Sequence, residues 1–304
     1  MDSIVESKNQ SGISKLLITG GSGFVGRILA KFFASRFAVF VTHFEGVAPL
    51  DLGAQVFYLD IRDAEAVSRV FARVNPNLVV HAAGNKDVRF CENHPDEAYQ
   101  TNALGTQNVA RACRDLGARM IYLSTDLVFA SLEGNYNESD LPQPSLMYGR
   151  SKLEGEWKAR EELTDVAICR SAGIYGPGSP LLIWLSAELR AGRRVECFTD
   201  VFNSPTYGEN LGEMMDAILH KRLTGIFHTA GPERVSRCEF FKSYASTFGL
   251  NVDLISPVPI GAQKDSLLLQ PDSSLSVEQT AGKLNLPFNS VAEGFARLKA
   301  SGGI

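Results

Sequence analysis

The sequence lacks the features of a membrane protein and of a nucleic-acid-binding protein. None of its apolar runs approaches the roughly 18 residues that a membrane helix needs. The first residues, MDSIVESKNQSGISK, do not place a basic segment before an apolar core, as a secretory signal does. The net charge of −4 and the pI near 5.8 provide no basic field for a phosphate backbone or an anionic membrane. We therefore expect a cytoplasmic protein whose partners include neither nucleic acid nor a membrane.

Cysteine is also scarce and carries no recognisable pattern. The five cysteines are odd in number, widely spaced and never arranged as Cys-x-x-Cys, so they indicate neither a disulfide framework nor a zinc site. We expect reduced, mostly buried thiols and no metal. They are Cys91, Cys113, Cys169, Cys197 and Cys238.

What the sequence does contain is a strict alternation of strand and helix patterns. Apolar runs such as KLLIT, NLVVHA, RMIYLS and VAICR are typical of buried parallel strands, and amphipathic helical patterns separate them. This order predicts an α/β fold built on a doubly wound parallel Rossmann sheet. We expect a flexible N-terminus over 1–14 and a dinucleotide-binding domain over 15–170. A smaller, interleaved C-terminal substrate lobe would occupy 171–304, with some segments returning to the Rossmann sheet.

A glycine-rich turn follows the first predicted strand and precedes the first predicted helix. Gly20, Gly23 and Gly26 form Gly-x-x-Gly-x-x-Gly in TGGSGFVG, and Ser22, Phe24 and Val25 lie between them. Glycines allow close backbone approach at such a turn, and the helix N-terminus offers free N–H groups to a pyrophosphate. The sequence therefore predicts a dinucleotide cofactor, although an ordinary glycine-rich turn is the alternative.

The form of the dinucleotide is less strongly indicated. A cofactor with a free 2′-hydroxyl is usually held by an acid at the end of the second strand, yet VFVTHFE has Thr42 and His43 there. NADP(H) is therefore favoured over NAD(H), and His43 could face the 2′-phosphate. In LDIRD, Asp60 could accept from the adenine amino group, with Ile61 beside it.

Two segments predict the chemistry. Tyr148 and Lys152 are four residues apart in YGRSK, which places them one turn apart on a helix face. A neighbouring ammonium would lower the pKa of the phenol and make it a usable proton donor. In IYLSTD, Ser124, Thr125 and Asp126 end a strand at the ligand-binding edge of the sheet, where the Thr125 hydroxyl could bond a substrate carbonyl.

These segments, together with HAAG, TNALGTQNV, YGRSKLEGE and FNSPTYGENLGEMM, resemble the extended short-chain dehydrogenase/reductases and, within them, the dTDP-4-dehydrorhamnose reductase group. The resemblance implies NAD(P)H-dependent reduction of the 4-keto group of a nucleotide-linked deoxysugar or a similar polar ketone. It implies Thr125, Tyr148 and Lys152 as the catalytic residues. Further cofactor contacts would come from Ala82, Ala83, Gly84, Asn102 and Ser124. Substrate contacts would come from Lys86, Asp126, Asn203, Pro205 and Thr206.

Other activities of the superfamily remain alternatives. Leu127 occupies the position where sugar 4,6-dehydratases place a proton-exchanging residue, so dehydration is disfavoured. An epimerase is an alternative, as is a non-catalytic NADP-binding regulatory subunit like the methionine adenosyltransferase beta subunit. Two predicted helices, over 95–113 and 148–163, resemble those that pair in dimers of the superfamily, so a homodimer is also expected.

Overall fold

The computed structural model describes residues 14–45, 53–262 and 270–303. The predicted flexible N-terminus, except Ser14, lies outside the described residues. A seven-stranded sheet, in the order β3-β2-β1-β4-β5-β6-β9, organises the molecule, and all its neighbouring strands are parallel. Its strands are β1 (Lys15–Thr19), β2 (Ala38–His43), β3 (Gln55–Tyr58), β4 (Leu78–His81), β5 (Arg119–Thr125), β6 (Val166–Ser171) and β9 (Gly225–His228).

Helices cover both faces of this sheet, so the predicted doubly wound Rossmann fold is confirmed. In β1, Leu17 faces a core formed with α2, α5 and α6, whereas Leu16 and Ile18 face a core formed with α1 and α8. The alternation follows from the pleat of the strand. These helices are α1 (Phe24–Phe33), α2 (Ala64–Val74), α3 (Val88–Asn93), α4 (Pro95–Tyr99), α5 (Gly105–Leu116), α6 (Met147–Glu162), α7 (Pro180–Arg190) and α8 (Gly208–His220).

The C-terminal part of the chain forms a second, smaller core. An aromatic cluster of Tyr175, Phe240 and Phe295 lies at its centre, with ring centroids 5.0 to 5.2 Å apart. Two short sheets border it: β11 pairs with β7 in parallel, and β10 pairs with β8 antiparallel. The elements are β7 (Val195–Phe198), β8 (Phe202–Asn203), β10 (Val235–Ser236), α9 (Arg237–Phe248), β11 (Ile255–Val258), α10 (Glu278–Leu284) and α11 (Val291–Ala300).

The two parts of the chain are interleaved through the main sheet. Strand β9 comes from the C-terminal part and pairs with β6 at the sheet's edge, with Ile168 opposite Ile226. Helix α8 packs from the same part of the chain against the sheet, through Leu211 and Met214. No helix of the described ranges is long and apolar enough to cross a bilayer.

One cysteine prediction was wrong. Cys197 of β7 and Cys238 of α9 are joined in a disulfide, whereas Cys91, Cys113 and Cys169 are buried thiols as expected. The two bonded cysteines are 41 residues apart in the chain, and they meet because α9 packs on β7. Spacing along the sequence carries no sign of such a contact.

Candidate active site

A cavity of about 810 Å³ runs along the carboxyl ends of β1, β2, β4, β5 and β6. This is the edge at which parallel α/β sheets bind ligands, and the volume suits a small-molecule or cofactor site. The predicted residues that line it are Gly20, Ser22, Gly23, Phe24, Val25, Gly26, Asp60, Ile61, Ala82, Ala83, Gly84, Lys86, Ser124, Thr125, Asp126, Tyr148 and Lys152.

The glycine turn forms one end of the cavity. Gly20 has a φ of 73°, in the left-handed region, and a Cβ there would lie 2.8 Å from Ala83 Cα. A Cβ on Gly26 would overlap the backbone oxygen of Gly20. Gly23 is the N-cap of α1 and has no side chain to occupy the helix's free N–H groups. The turn therefore leaves backbone donors available for a pyrophosphate.

Asn102 lies behind the cavity wall and braces it. Its side chain accepts from Asn85 N at 2.7 Å and donates to Asn85 O and Ser151 Oγ, both at 2.9 Å. The residue is fully buried within a π-helical segment over Gln100–Leu104, a type of distortion frequent at functional sites. The sequence predicted one continuous helix here, since no breaker residue marks the π segment.

The end of the cavity that was predicted to hold the adenosine is lined in part by other residues than expected. His43 lies outside the lining, with its ring edge-on to Tyr58 at 5.8 Å, because side chains alternate along β2. Phe44, Glu45 and Arg62 line the cavity instead. The Arg62 guanidinium donates to both oxygens of Asp60 and holds the pKa of that carboxyl below its ordinary value.

Lys152 lines the cavity and is buried. Its Nζ donates to Leu123 O at 2.8 Å and lies 4.1 Å from the centre of the Tyr122 ring. Burial lowers the pKa of Lys152 to about 7, and the nearby Glu156 carboxylate partly opposes that shift. A lysine in this state changes charge within the physiological pH range.

The pKa of Tyr148 is shifted in the direction opposite to the prediction. Burial, and after it the charge of Asp126, raise the pKa of the phenol above its ordinary value. The prediction that Lys152 makes this phenol acidic was therefore wrong for this arrangement, because the ammonium is directed at Leu123 O and the charge that acts on the phenol is that of Asp126, an anion. Tyr148 nevertheless lines the same cavity as Thr125 and Lys152.

Asp126 is a buried carboxyl group held by two hydroxyls. Thr125 Oγ1 donates to its Oδ1 at 2.9 Å, and Ser273 Oγ donates to its Oδ2 at 2.6 Å. Burial raises the pKa of Asp126 to about 6, although both hydrogen bonds oppose the shift. Ser273 comes from the C-terminal part of the chain, 147 residues from Asp126, so no local sequence pattern predicts this contact.

Three of the predicted substrate residues lie outside the cavity lining. Thr206 is buried and donates to Ala172 O at 2.7 Å, while Asn203 pairs with Val235 between β8 and β10. The Asn203 amide lies behind Gly173, where a Cβ would approach its nitrogen to 2.7 Å. Pro205 packs with its carbonyl against Gly231. These residues support the cavity wall from the C-terminal lobe.

Fourteen further residues line the cavity that sequence reasoning did not place in the site. Most of them follow the carboxyl ends of β2, β3, β4 and β6. That position was the available signal, since residues just beyond a parallel strand are candidates for a ligand site. They are Thr42, Phe44, Glu45, Leu59, Arg62, Asn85, Asp87, Phe90, Glu97, Thr101, Ser171 and Gly173, with Leu123 and Ile174 on the apolar side. Within the described ranges, no group of three His, Cys, Asp or Glu side chains could hold a metal ion.

Comparison with known proteins identifies the family. The model of the RmlD substrate binding domain family matches residues 14–300, almost the full chain. The chain belongs to this family. A relative in it, the dTDP-4-dehydrorhamnose reductase of Mycobacterium tuberculosis (strain CDC 1551 / Oshkosh), is 32% identical over 80% of this chain and 79% of its own.

Two other similarities bear on the activity of this RmlD-family chain. Methionine adenosyltransferase 2 subunit beta of Bos taurus is 27% identical over 86% of this chain and 81% of its own. The crystal structure of dTDP-4-dehydrorhamnose reductase from Bacillus anthracis str. Ames in complex with NADP has a TM-score of 0.85 and 26% identity. The structural match covers 95% of this chain and 100% of the Bacillus anthracis chain. The predicted family resemblance is therefore confirmed.

Proposed function

We propose that the protein is an NAD(P)H-dependent reductase of a carbonyl, acting on the 4-keto group of a nucleotide-linked deoxysugar. The observation that carries this proposal is a single cavity joining the glycine turn to Thr125, Tyr148 and Lys152. Membership of the RmlD family and similarity to dTDP-4-dehydrorhamnose reductases support it. The same residues could reduce another polar ketone by the same reaction.

NADP(H) is the proposed cofactor, with NAD(H) as the second choice. The turn from Gly20 to Gly26 would hold the pyrophosphate, and Arg62 is the cationic side chain lining the adenosine end. The loop from Ala82 to Gly84 and the Lys152 side chain would hold the nicotinamide half. When bound, this cofactor supplies a hydride to the carbonyl carbon.

The chain's own residues would supply the proton and orient the carbonyl. Tyr148 holds a proton securely at neutral pH, since burial and Asp126 raise its pKa. Its hydroxyl can therefore donate as negative charge develops on the carbonyl oxygen. Thr125 Oγ1, which donates to Asp126 in this structure, can turn to hydrogen-bond the same oxygen. Lys86 and Asp126 would contact the polar substrate beyond the carbonyl.

A non-catalytic, NADP-binding regulatory role is the second candidate. It is favoured by the similarity to methionine adenosyltransferase 2 subunit beta and by the raised pKa of Tyr148, which makes the phenol a weaker acid. Such a protein would bind the cofactor without net turnover.

The deciding experiment is a panel of nucleotide-linked 4-keto sugars and simple ketones. Loss of NADPH absorbance would be followed, with NADH in parallel and product quantified. We expect NADPH oxidation stoichiometric with a reduced product. Product formation without net NADPH oxidation would indicate an epimerase. Tight NADPH binding with no turnover on any member of the panel would favour the regulatory role.

We also propose a cytoplasmic homodimer. Helices α5 and α6 pack side by side, and two aromatic side chains are partly exposed: Trp157 of α6 at 49% and Tyr99, the last residue of α4, at 37%. Exposed aromatic side chains of this kind suit contact with a second copy of the chain. Light scattering on the purified protein should give twice the chain mass of 33.1 kDa, and Trp157→Glu should return the monomer.

A further inference from the structure

A buried ion pair lies directly beneath the candidate active site. Arg170 of β6 donates from Nε to Glu156 Oε1 at 2.9 Å and from Nη2 to Glu156 Oε2 at 2.7 Å. The two side chains are only 1% and 2% exposed. Removing two charges from water costs desolvation free energy, and the attraction within a buried pair often does no more than offset that cost. We therefore expect a functional reason for the pair.

Glu156 connects this pair to the cavity through two residues. Ser124 Oγ donates to Glu156 Oε1 at 2.6 Å, and Ser124 lines the cavity. Lys152, which also lines the cavity, lies one turn before Glu156 on α6, so their side chains lie on the same helix face. Glu156 is thus the anion one helical turn from Lys152, and its charge favours the Lys152 ammonium.

The other titratable groups around Lys152 do not substitute for this anion. Tyr122 of β5 is neutral, since burial raises its pKa well above the ordinary value. His81 of β4 is neutral because burial lowers its pKa to about 3. Glu138 accepts from Thr280, and His228 contacts Ser276 O. Although the Arg170 and Glu156 charges act on His228, neither Glu138 nor His228 is among the groups that shift the pKa of Lys152.

On the cavity side, neither Asp126 nor Tyr148 is among the groups that shift the pKa of Lys152. Asp126 acts on Tyr148, and Tyr148 itself holds its proton at neutral pH. We infer that Glu156, fixed by Arg170 and Ser124, is a positioning residue that keeps the Lys152 side chain protonated and aligned for the cofactor. This inference rests on the proposed cofactor role of Lys152.

The test is the pH dependence of Glu156→Gln. Removing the carboxylate disfavours the ammonium form of Lys152, whose pKa of about 7 already lies in the neutral range. NADPH affinity and kcat/KM should both fall as the pH rises and Lys152 loses its proton; we call this part of each pH profile the alkaline limb. In Glu156→Gln the alkaline limb should therefore move to lower pH by roughly one unit. The NADPH titration reads this shift even if the protein has no reductase activity, so failure of the proposed function does not hide it.

Matched variants separate electrostatics from folding. Glu161→Gln removes a carboxylate from the exposed side of the same helix, where it pairs with Lys158, and should leave the limb at its original pH. Glu156→Asp retains the charge, so its alkaline limb should lie at the wild-type pH.

A second variant covers the case in which Glu156→Gln fails to fold because Arg170 is left unpaired. Glu156→Gln with Arg170→Met removes that buried charge, and its alkaline limb should also move to lower pH. A folded variant lacking Glu156 with the wild-type limb overturns the inference.

Discussion

At the scale of single residues, Tyr148 and Lys152 share helix α6 and one cavity, but burial shifts their pKa values in opposite directions, up for the phenol and down for the ammonium. The spacing of Tyr148 and Lys152 correctly predicts a shared helix and a shared cavity, because both follow from helical geometry. The direction of the Lys152 ammonium depends on Leu123 O and the Tyr122 ring, which another strand supplies. Burial and tertiary neighbours set a pKa, and neither can be deduced from local spacing.

Tyr148→Phe tests the proposed proton donor. Removing the hydroxyl should lower kcat by about 100-fold or more, while NADPH affinity measured by fluorescence titration stays close to that of the wild type. Tyr99→Phe, which removes a hydroxyl from a ring outside the cavity lining, is the control and should retain activity. Full turnover in Tyr148→Phe would move the proton donor to another group.

Asp126→Asn tests the buried carboxyl group by activity. Because the folded-state pKa of Asp126 is about 6, wild-type kcat/KM should show an inflection near that pH. The variant has no titrating group at this position, so the inflection should disappear. An unchanged profile would show that another group titrates there.

The same variant makes a prediction about stability. The folded-state pKa of Asp126 lies above the ordinary value of 3.8, so its protonated form stabilises the fold at low pH. That contribution is lost as the pH rises through about 6. The melting temperature of Asp126→Asn relative to wild type should therefore be higher at pH 7.5 than at pH 4.5. The opposite trend in thermal melts would contradict the raised pKa.

At the scale of elements, the sequence predicted long, strongly patterned segments best. The strands predicted from KLLIT, NLVVHA, RMIYLS and VAICR coincide with β1, β4, β5 and β6 to within one residue at each end. The sequence missed β9, because Gly225–His228 has only four residues and begins with a glycine. It also missed α3, where six residues carry too little periodicity to identify a helix.

The glycine turn yields a paired prediction at this scale. Gly26→Ala places a methyl group against the Gly20 backbone oxygen, so α1 must shift and the melting temperature should fall. At Gly23 a Cβ would be tight, 3.3 Å from the same oxygen, but it would not overlap that oxygen as at Gly26, so Gly23→Val should cost less stability and yet abolish NADPH binding. Calorimetry and cofactor titration measure the two effects. Unchanged NADPH binding in Gly23→Val would refute the phosphate-turn assignment.

At the scale of the whole molecule, the site depends on contacts between the two parts of the chain. Ser273, from the C-terminal part of the chain, donates to Asp126. The neighbouring Asp272 is held by Arg234, whose Nε donates to Asp272 Oδ2 at 2.6 Å. The doubly wound fold could be predicted because each strand carries its own apolar pattern. Contacts across 147 residues of sequence have no such local pattern, and the disulfide escaped prediction for the same reason.

Ser273→Ala tests this long-range contact. Loss of the hydroxyl frees one oxygen of the Asp126 carboxylate, so we expect a higher KM for the carbonyl substrate with unchanged NADPH affinity. Ser68→Ala, on the exposed side of α2, is the control and should behave as wild type. A loss of cofactor affinity in Ser273→Ala would mean that the contact supports the whole cavity and not the substrate end.

The position of β9 bears on how the chain can acquire its structure during synthesis. The edge of β6 stays uncovered until His228 has left the ribosome, about 57 residues after Ser171 at the end of that strand. A nascent chain of the first 170 residues would therefore expose an unpaired parallel edge, a template for aggregation. Expression of that fragment alone should give insoluble material, and supplying the remaining segment in trans should rescue it.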